Sequence, residues 1–144
     1  MSVVLVPFSG AEDWEYLLDL AGKDEGRYTT REAISEKVRE HGIMFWSIIA
    51  DDVRIGIGLC LRVNDIFLLE ALKDRRVSGA SLHHSVEAGK LLLEEIFKIT
   101  NVVQTCARTE DRAIQILCRK LGFIETGIVE SPFGDLVWFR KEKT

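Results

Sequence analysis

Three apolar runs stand close together in the middle of the chain: "IMFWSIIA" (43–50), "RIGIGLCLRV" (54–63) and "IFLLEALK" (66–73). Only Asp51-Asp52 and Asn64-Asp65 separate them. Apolar runs of strand length joined by two-residue polar turns are the pattern of tight hairpins. The centre of the chain is therefore expected to be an antiparallel meander, and every other element must pack around a sheet.

The flanking segments supply those elements. "VVLVPF" (3–8) reads as a first strand. "AEDWEYLLDLAG" reads as a helix, with Trp14, Leu17, Leu18 and Ala21 at helical spacing and Gly22 as its stop. Thr29 to Glu32 has capping-box form and opens a second helix running to about His41, where Gly42 ends it. Ser81 to about Thr100 is predicted helical, with Leu82, Val86, Gly89, Leu93 and Ile96/Phe97 on its buried stripe. "NVVQTCA" is a further strand. Thr109 is the expected cap of a short helix burying Ala113, Ile114, Leu117 and Leu121 and stopping at Gly122. "FIETGIVES" and "DLVWFRKE" close the chain as a hairpin. The predicted order is βααβββαβαββ: one α/β (α+β) domain over residues 1–144, with a mixed, mostly antiparallel sheet flanked by helices.

Composition narrows the function. A net charge of −4, from 19 basic and 23 acidic residues, gives no basic face for nucleic acid. No apolar run approaches the roughly 18–20 residues of a membrane helix, and "MSVVLVPFSG" lacks the charged start of a signal peptide. Cys60, Cys106 and Cys118 are widely spaced within apolar segments and suit no zinc site, so buried reduced thiols in a cytoplasmic protein are expected. His83-His84 reads as a solvated pair at the start of a helix.

The chemistry concentrates at "DRRVSGASLHH" (74–84). Ser78, Gly79, Ala80 and Ser81 leave the backbone bare just before a helix whose unpaired N–H groups carry partial positive charge. Such a turn is either a helix cap or a cradle for phosphate, with Arg76 near enough to add a fixed positive charge. The turn lacks the lysine and spacing of a P-loop, which argues against a plain nucleotide binder.

Together with the element order and "Ala113…Leu117-Cys118-Arg119-Lys120-Leu121-Gly122-Phe123", this turn resembles the GNAT N-acetyltransferase superfamily, as a diverged member. The family's turn has the form Arg/Gln-x-x-Gly-x-Gly/Ala, and Arg76 to Ser81 fits at Arg76 and Gly79, with Ser81 a departure. A rival register, His84 to Gly89, puts Glu87 where the first glycine belongs. The resemblance covers about residues 43–141, and residues 1–42 fit by element order alone.

The resemblance implies an acetyl-CoA-dependent N-acyltransferase acting on an amine by direct attack in a ternary complex. The backbone of Ala71, Leu72 and Lys73 would pair with the coenzyme A arm, with a main-chain N–H near Leu72 polarising the thioester. Arg76, Val77, Ser78, Gly79, Ala80 and Ser81 would hold the pyrophosphate. Glu70, the acid inside the fourth strand, is the candidate base, and Asp65 reads as a turn residue. Cys118 stands where the family often has a tyrosine acid, and Glu110 where it often has asparagine. Tyr28 and Trp46 are candidate acceptor-side residues; Phe45, Trp138 and Phe139 read mainly as core or sheet-face residues. The implied partners are a small-molecule or protein amine and, through exposed sheet edges, a second copy in a homodimer. No metal, nucleic-acid or membrane partner is expected. The departures at Ser81, Glu110 and Cys118 keep open a non-catalytic module of the same fold, with an assembly or regulatory role.

Overall fold

A computed structural model describes residues 2–23, 31–77, 81–130, 132 and 134–144. The elements follow the predicted order: β1 (Val3–Pro7), α1 (Ala11–Lys23), α2 (Arg31–His41), β2 (Gly42–Ala50), β3 (Val53–Val63), β4 (Ile66–Lys73), α3 (Leu82–Ile96), β5 (Val102–Arg108), α4 (Arg112–Lys120), β6 (Ile124–Val129) and β7 (Leu136–Glu142). The strands form one sheet in the order β1-β2-β3-β4-β5-β7-β6. Every neighbouring pair is antiparallel except β4 and β5.

The two short turns hold the meander in register. Asp51, Asp52 and Asn64 have φ of 50°, 66° and 57°, the left-handed region that Asp and Asn tolerate better than most residues. Val63 then faces Ile66 and Ala50 faces Val53, so the apolar alternation lands on the correct faces.

Each face of the sheet has its own core. On one, α3 and α4 cover Trp46, Ile48, Cys60, Leu69, Val103, Val137 and Phe139. A side chain at Gly58 would collide with Leu92, and one at Gly89 with Leu121, so these glycines let α3 lie on β3 and α4 lie on α3. On the other face, α1 brings Leu17, Leu20 and Ala21 against Ile57, Leu59, Leu61 and Leu72. This second core contains nothing from β5, β6 or β7.

Several local expectations need correction. Helix α1 continues through Gly22 to Lys23, and Trp14 is exposed while Leu20 is buried. A glycine in a helix costs only about 1 kcal/mol, and packing of Leu17, Leu20 and Ala21 opposes that cost. Helix α3 ends at Ile96 rather than near Thr100; Gly89, Leu93 and Ile96 are buried as expected, joined by His84, Ala88 and Leu92, while Val86 is half-buried and Leu82 exposed. Asp111, not Thr109, caps α4 by accepting from the Ile114 N–H at 3.2 Å. Cys118 is the one buried residue of α4, and Ala113 is exposed. The capping Thr29 lies outside the described residues. Gly122, at φ 91°, does end the α4 turn.

Candidate coenzyme and acceptor site

The site follows from an opening in the sheet. Strands β4 and β5 share one register pair, Leu68 with Gln104, reinforced by Thr105 Oγ1 donating to the Leu69 carbonyl at 2.9 Å. Beyond that point toward Lys73 they share no further pair. Ala71 is exposed although β4 is an interior strand and Leu69, two residues earlier on the same face, is buried. A seam between β4 and β5 therefore opens on the α3/α4 side.

Backbone direction decides what lines the seam. The Leu69 carbonyl faces β5, and alternation along a strand turns the peptide groups of Ala71 and Lys73 the same way. The Leu72 carbonyl instead lies against Gly56 of β3, and the Asp74 N–H donates to the Ile55 carbonyl at 2.9 Å. The main-chain donor expected near Leu72 is thus corrected to its neighbours, because the Leu72 peptide belongs to β3. The Leu72 side chain is buried in the α1-side core.

Helix α3 starts at the open end of this seam. Ser81 is its N-cap: its hydroxyl accepts from the His84 N–H at 3.4 Å, and its own N–H donates to His84 Nδ1 at 3.1 Å. A cap of this kind contributes on the order of 1 kcal/mol. The first turn of α3 carries no acid of its own, and the carboxylate that reaches it comes from Asp51 of the β2–β3 turn. His84 is buried, with Nε2 lying 3.8 Å from Asp51 Oδ2. The expectation of a solvated pair therefore fails at His84 and holds at His83, which is exposed. The bare turn itself, Ser78, Gly79 and Ala80, lies outside the described residues, as does Tyr28.

Arg76 has two partners within the chain. Its Nε and a terminal nitrogen grip Asp74 at 2.9 and 3.0 Å, and the other terminal nitrogen reaches Asp19 of α1 at 2.9 Å. Asp74, buried at the end of β4, also accepts from Tyr16 Oη at 2.9 Å. The Arg76 hydrogen bond holds the Asp74 carboxyl down at about 2, with the Tyr16 bond adding to it. Burial and the same Asp74 bond push the Tyr16 hydroxyl upward. This clamp fixes the end of β4, and with it the approach to α3, against α1. It also shares the Arg76 charge between two carboxylates, which weakens the expectation of an uncommitted cation for phosphate.

Glu70 points to the opposite face from Ala71, in line with Leu68 and Leu72. It is half-buried beneath α2, and Lys37 Nζ lies 2.5 Å from its Oε1. Sequence spacing gives no sign of this pair, because the two residues are brought together only when α2 packs on the sheet.

The remaining expected site residues are not brought to the seam. Cys118 is buried in the α4-side core, and burial pushes its thiol up to about 11, which makes it a poor match for an exposed proton donor. Trp46 is 6% exposed in the core on the α3 side, facing away from Glu70, and is therefore corrected to a core residue. It also borders an open groove at the outer β1–β2 edge, beside Phe8, Trp14 and Phe45. Cys60 is buried and Cys106 half-buried; neither is in a disulfide. Glu110 Oε1 lies 3.2 Å from Arg108 Nε at the start of the α4 loop. Among the described residues no cluster of ligands suits a metal, and no helix is long and apolar enough to cross a membrane.

No protein-family profile matches the chain, and no curated protein matches it in sequence. Solved structures do match in three dimensions, and the fold they define is that of the GNAT acetyltransferases. Spermidine N-acetyltransferase from Vibrio cholerae, in complex with CoA and spermine, superposes at a TM-score of 0.77, with 15% identity over 98% of this chain and 95% of that one. An aminoglycoside acetyltransferase, AAC(6′)-Ib in complex with coenzyme A, gives 0.74 at 16% identity, again over 98% and 95%. An acetyltransferase of the GNAT family from Bacillus anthracis gives 0.73 at 13% identity, over 99% and 95%. The match includes residues 1–42, where sequence carried no motif.

Proposed function

We propose that this chain is an acetyl-CoA-dependent N-acetyltransferase, which moves the acetyl group to an amine by direct attack in a ternary complex. The observation that carries the reading is the opened β4–β5 seam, with Ala71 exposed in mid-sheet and β4 leading directly into the start of α3. The residues present fit the coenzyme. An extended amide chain laid along the exposed end of β4 at Lys73 would run beside it as an added strand does. The turn of Ser78, Gly79 and Ala80 would receive the pyrophosphate, between Val77 and Ser81, whose own N–H groups donate to the Asp74 carbonyl and to His84 Nδ1. The spermidine and aminoglycoside enzymes with this fold were solved with coenzyme A bound, which supports the same use of it here.

Glu70 is the group we assign to the acceptor. An alkyl ammonium has a pKa near ~10.4 and must lose a proton before its nitrogen can attack. A carboxylate on the strand beside the thioester, facing away from the coenzyme side, takes that proton directly or through one water. A backbone N–H of Ala71 or Lys73 would face the developing oxyanion. The acceptor is a small-molecule or protein amine. Glu70→Gln should lower kcat about 10²–10⁴-fold while leaving the fold and coenzyme binding intact. An unchanged kcat against amines that the wild type acetylates would remove Glu70 from the mechanism.

One observation favours a second reading, a non-catalytic module that still holds coenzyme A. The position where the resemblance expects a proton donor carries the buried, poorly acidic Cys118. Coenzyme binding without turnover on any amine of a broad panel would establish that module.

A further inference from the structure

We propose that Lys37 is itself an acetyl acceptor, so that the protein acetylates its own α2 helix. The inference rests on the proposed coenzyme site. Lys37 is not a freely swinging surface lysine: the next residue, Val38, packs into the α1-side core and fixes this turn of α2 on β2 and β3, from where Lys37 reaches Glu70 of β4. Its Nζ lies 2.5 Å from Glu70 Oε1, with side-chain exposures of 32% and 17%. An acceptor amine needs just this arrangement, a primary ammonium hydrogen-bonded to the base, on the face of β4 opposite the coenzyme side. An external acceptor would have to displace Lys37 from Glu70.

In the transfer, Glu70 takes a proton from the Lys37 ammonium. The freed nitrogen pair attacks the thioester carbonyl carbon, a C–N bond forms and the C–S bond breaks. The sulfur departs as the coenzyme thiolate and is protonated by the second proton lost from nitrogen, relayed through solvent. Glu70 returns its own proton to solvent, and Lys37 is left as a neutral amide. Holding nucleophile and base together in one chain gives effective concentrations on the order of 10⁵ M or more when the geometry is productive. Acetylated Lys37 no longer carries an ammonium, so Glu70 loses its ion-pair partner and becomes available to another amine.

The test is intact-protein mass and peptide mapping of the full chain after incubation with acetyl-CoA. Lys37→Arg and Glu70→Gln are run beside the wild type, and ligand-free melting of each variant checks that it folds. The expected result is one acetyl group per chain on Lys37, formed at a rate independent of protein concentration. It should be absent in Lys37→Arg and slowed at least ~100-fold in Glu70→Gln. Acetylation spread over Lys90, Lys98, Lys120 and Lys143, and indifferent to Glu70→Gln, would be uncatalysed chemistry and would overturn the proposal. An unmodified Lys37 in a protein whose melting midpoint still rises with acetyl-CoA would make the pair purely structural while leaving the coenzyme site standing. With neither modification nor a midpoint rise, the proposal and the coenzyme site fail together.

Discussion

The two halves of the sheet are built differently. Across β2 and β3 both faces are covered, by α1 and α2 on one side and α3 on the other, and Leu59, Cys60 and Leu61 are completely buried in succession, while Val4 and Val6 of the β1 edge are exposed. From β5 to β6 the α4 side holds buried residues, the opposite side contributes nothing to the second core, and all six residues of β6 are exposed. Among the described residues, β4 and β5 share one register pair and one side-chain hydrogen bond, while the α3-side core runs on without a break from one half to the other. Where covering is complete, side chains are committed to packing. At the seam Ala71 and Lys73 are exposed, and there the candidate chemistry gathers. The sheet thus has a half covered on both faces and a half covered on one, with the candidate site along their boundary.

The largest effect should come from testing whether the halves are one cooperative unit. Phe139 of β7 is completely buried although its half is covered on one side. Phe139→Ala should cost about 3–5 kcal/mol and lower a single melting transition. Two separate transitions in calorimetry would mean that the halves fold independently, and the seam would then be a domain boundary.

A smaller effect probes the clamp at the end of β4. The folded-state pKa of Asp74 is lowered to about 2, below the ordinary carboxylate range. Its contribution is therefore complete above roughly pH ~4 and is lost as the pH falls through about 2. Linkage puts that contribution at about 2 kcal/mol, so Asp74→Asn should flatten the acid limb of the stability profile between those pH values. An identical acid limb in the variant would mean that Asp74 is not the group titrating. The smallest effect belongs to the outer edge. Ile124 is 73% exposed on β6, and Ile124→Ser should change stability by no more than about 0.5 kcal/mol. A much larger loss would reveal a partner covering this edge in solution.

The meander was legible because its signals are local: short turns at Asp51-Asp52 and Asn64-Asp65, and apolar runs of strand length. The α3 start at Ser81 and the stop at Gly122 were legible for the same reason. The cap of α4 was misplaced by two residues because Thr109 and Asp111 are both competent cap formers, and position relative to β7 decides between them. Thr109 instead donates its N–H to the Asp135 carbonyl at 3.1 Å. The contacts that shape the site were not legible. Tyr16 and Asp74 are 58 positions apart, Arg76 and Asp19 are 57, and Lys37 and Glu70 are 33. Such pairs depend on how helices settle on the sheet, which periodicity does not encode. His84 shows the limit from the other side: a polar residue beside another histidine looks solvated, yet it is buried and forms half of the α3 capping box.

The most direct measurement is thermal unfolding with and without acetyl-CoA, wild type beside Gly79→Glu. A ligand that binds only the folded state, at ~100 times its Kd, adds roughly 2.7 kcal/mol, about 5–10 °C for a domain of this size. The expected result is a rise of that order in the wild type and none in Gly79→Glu, whose carboxylate and bulk would stand against the pyrophosphate, with both proteins folded in the absence of ligand. A wild type whose midpoint does not move, or a variant that shifts as far as the wild type, would contradict the coenzyme site at the seam.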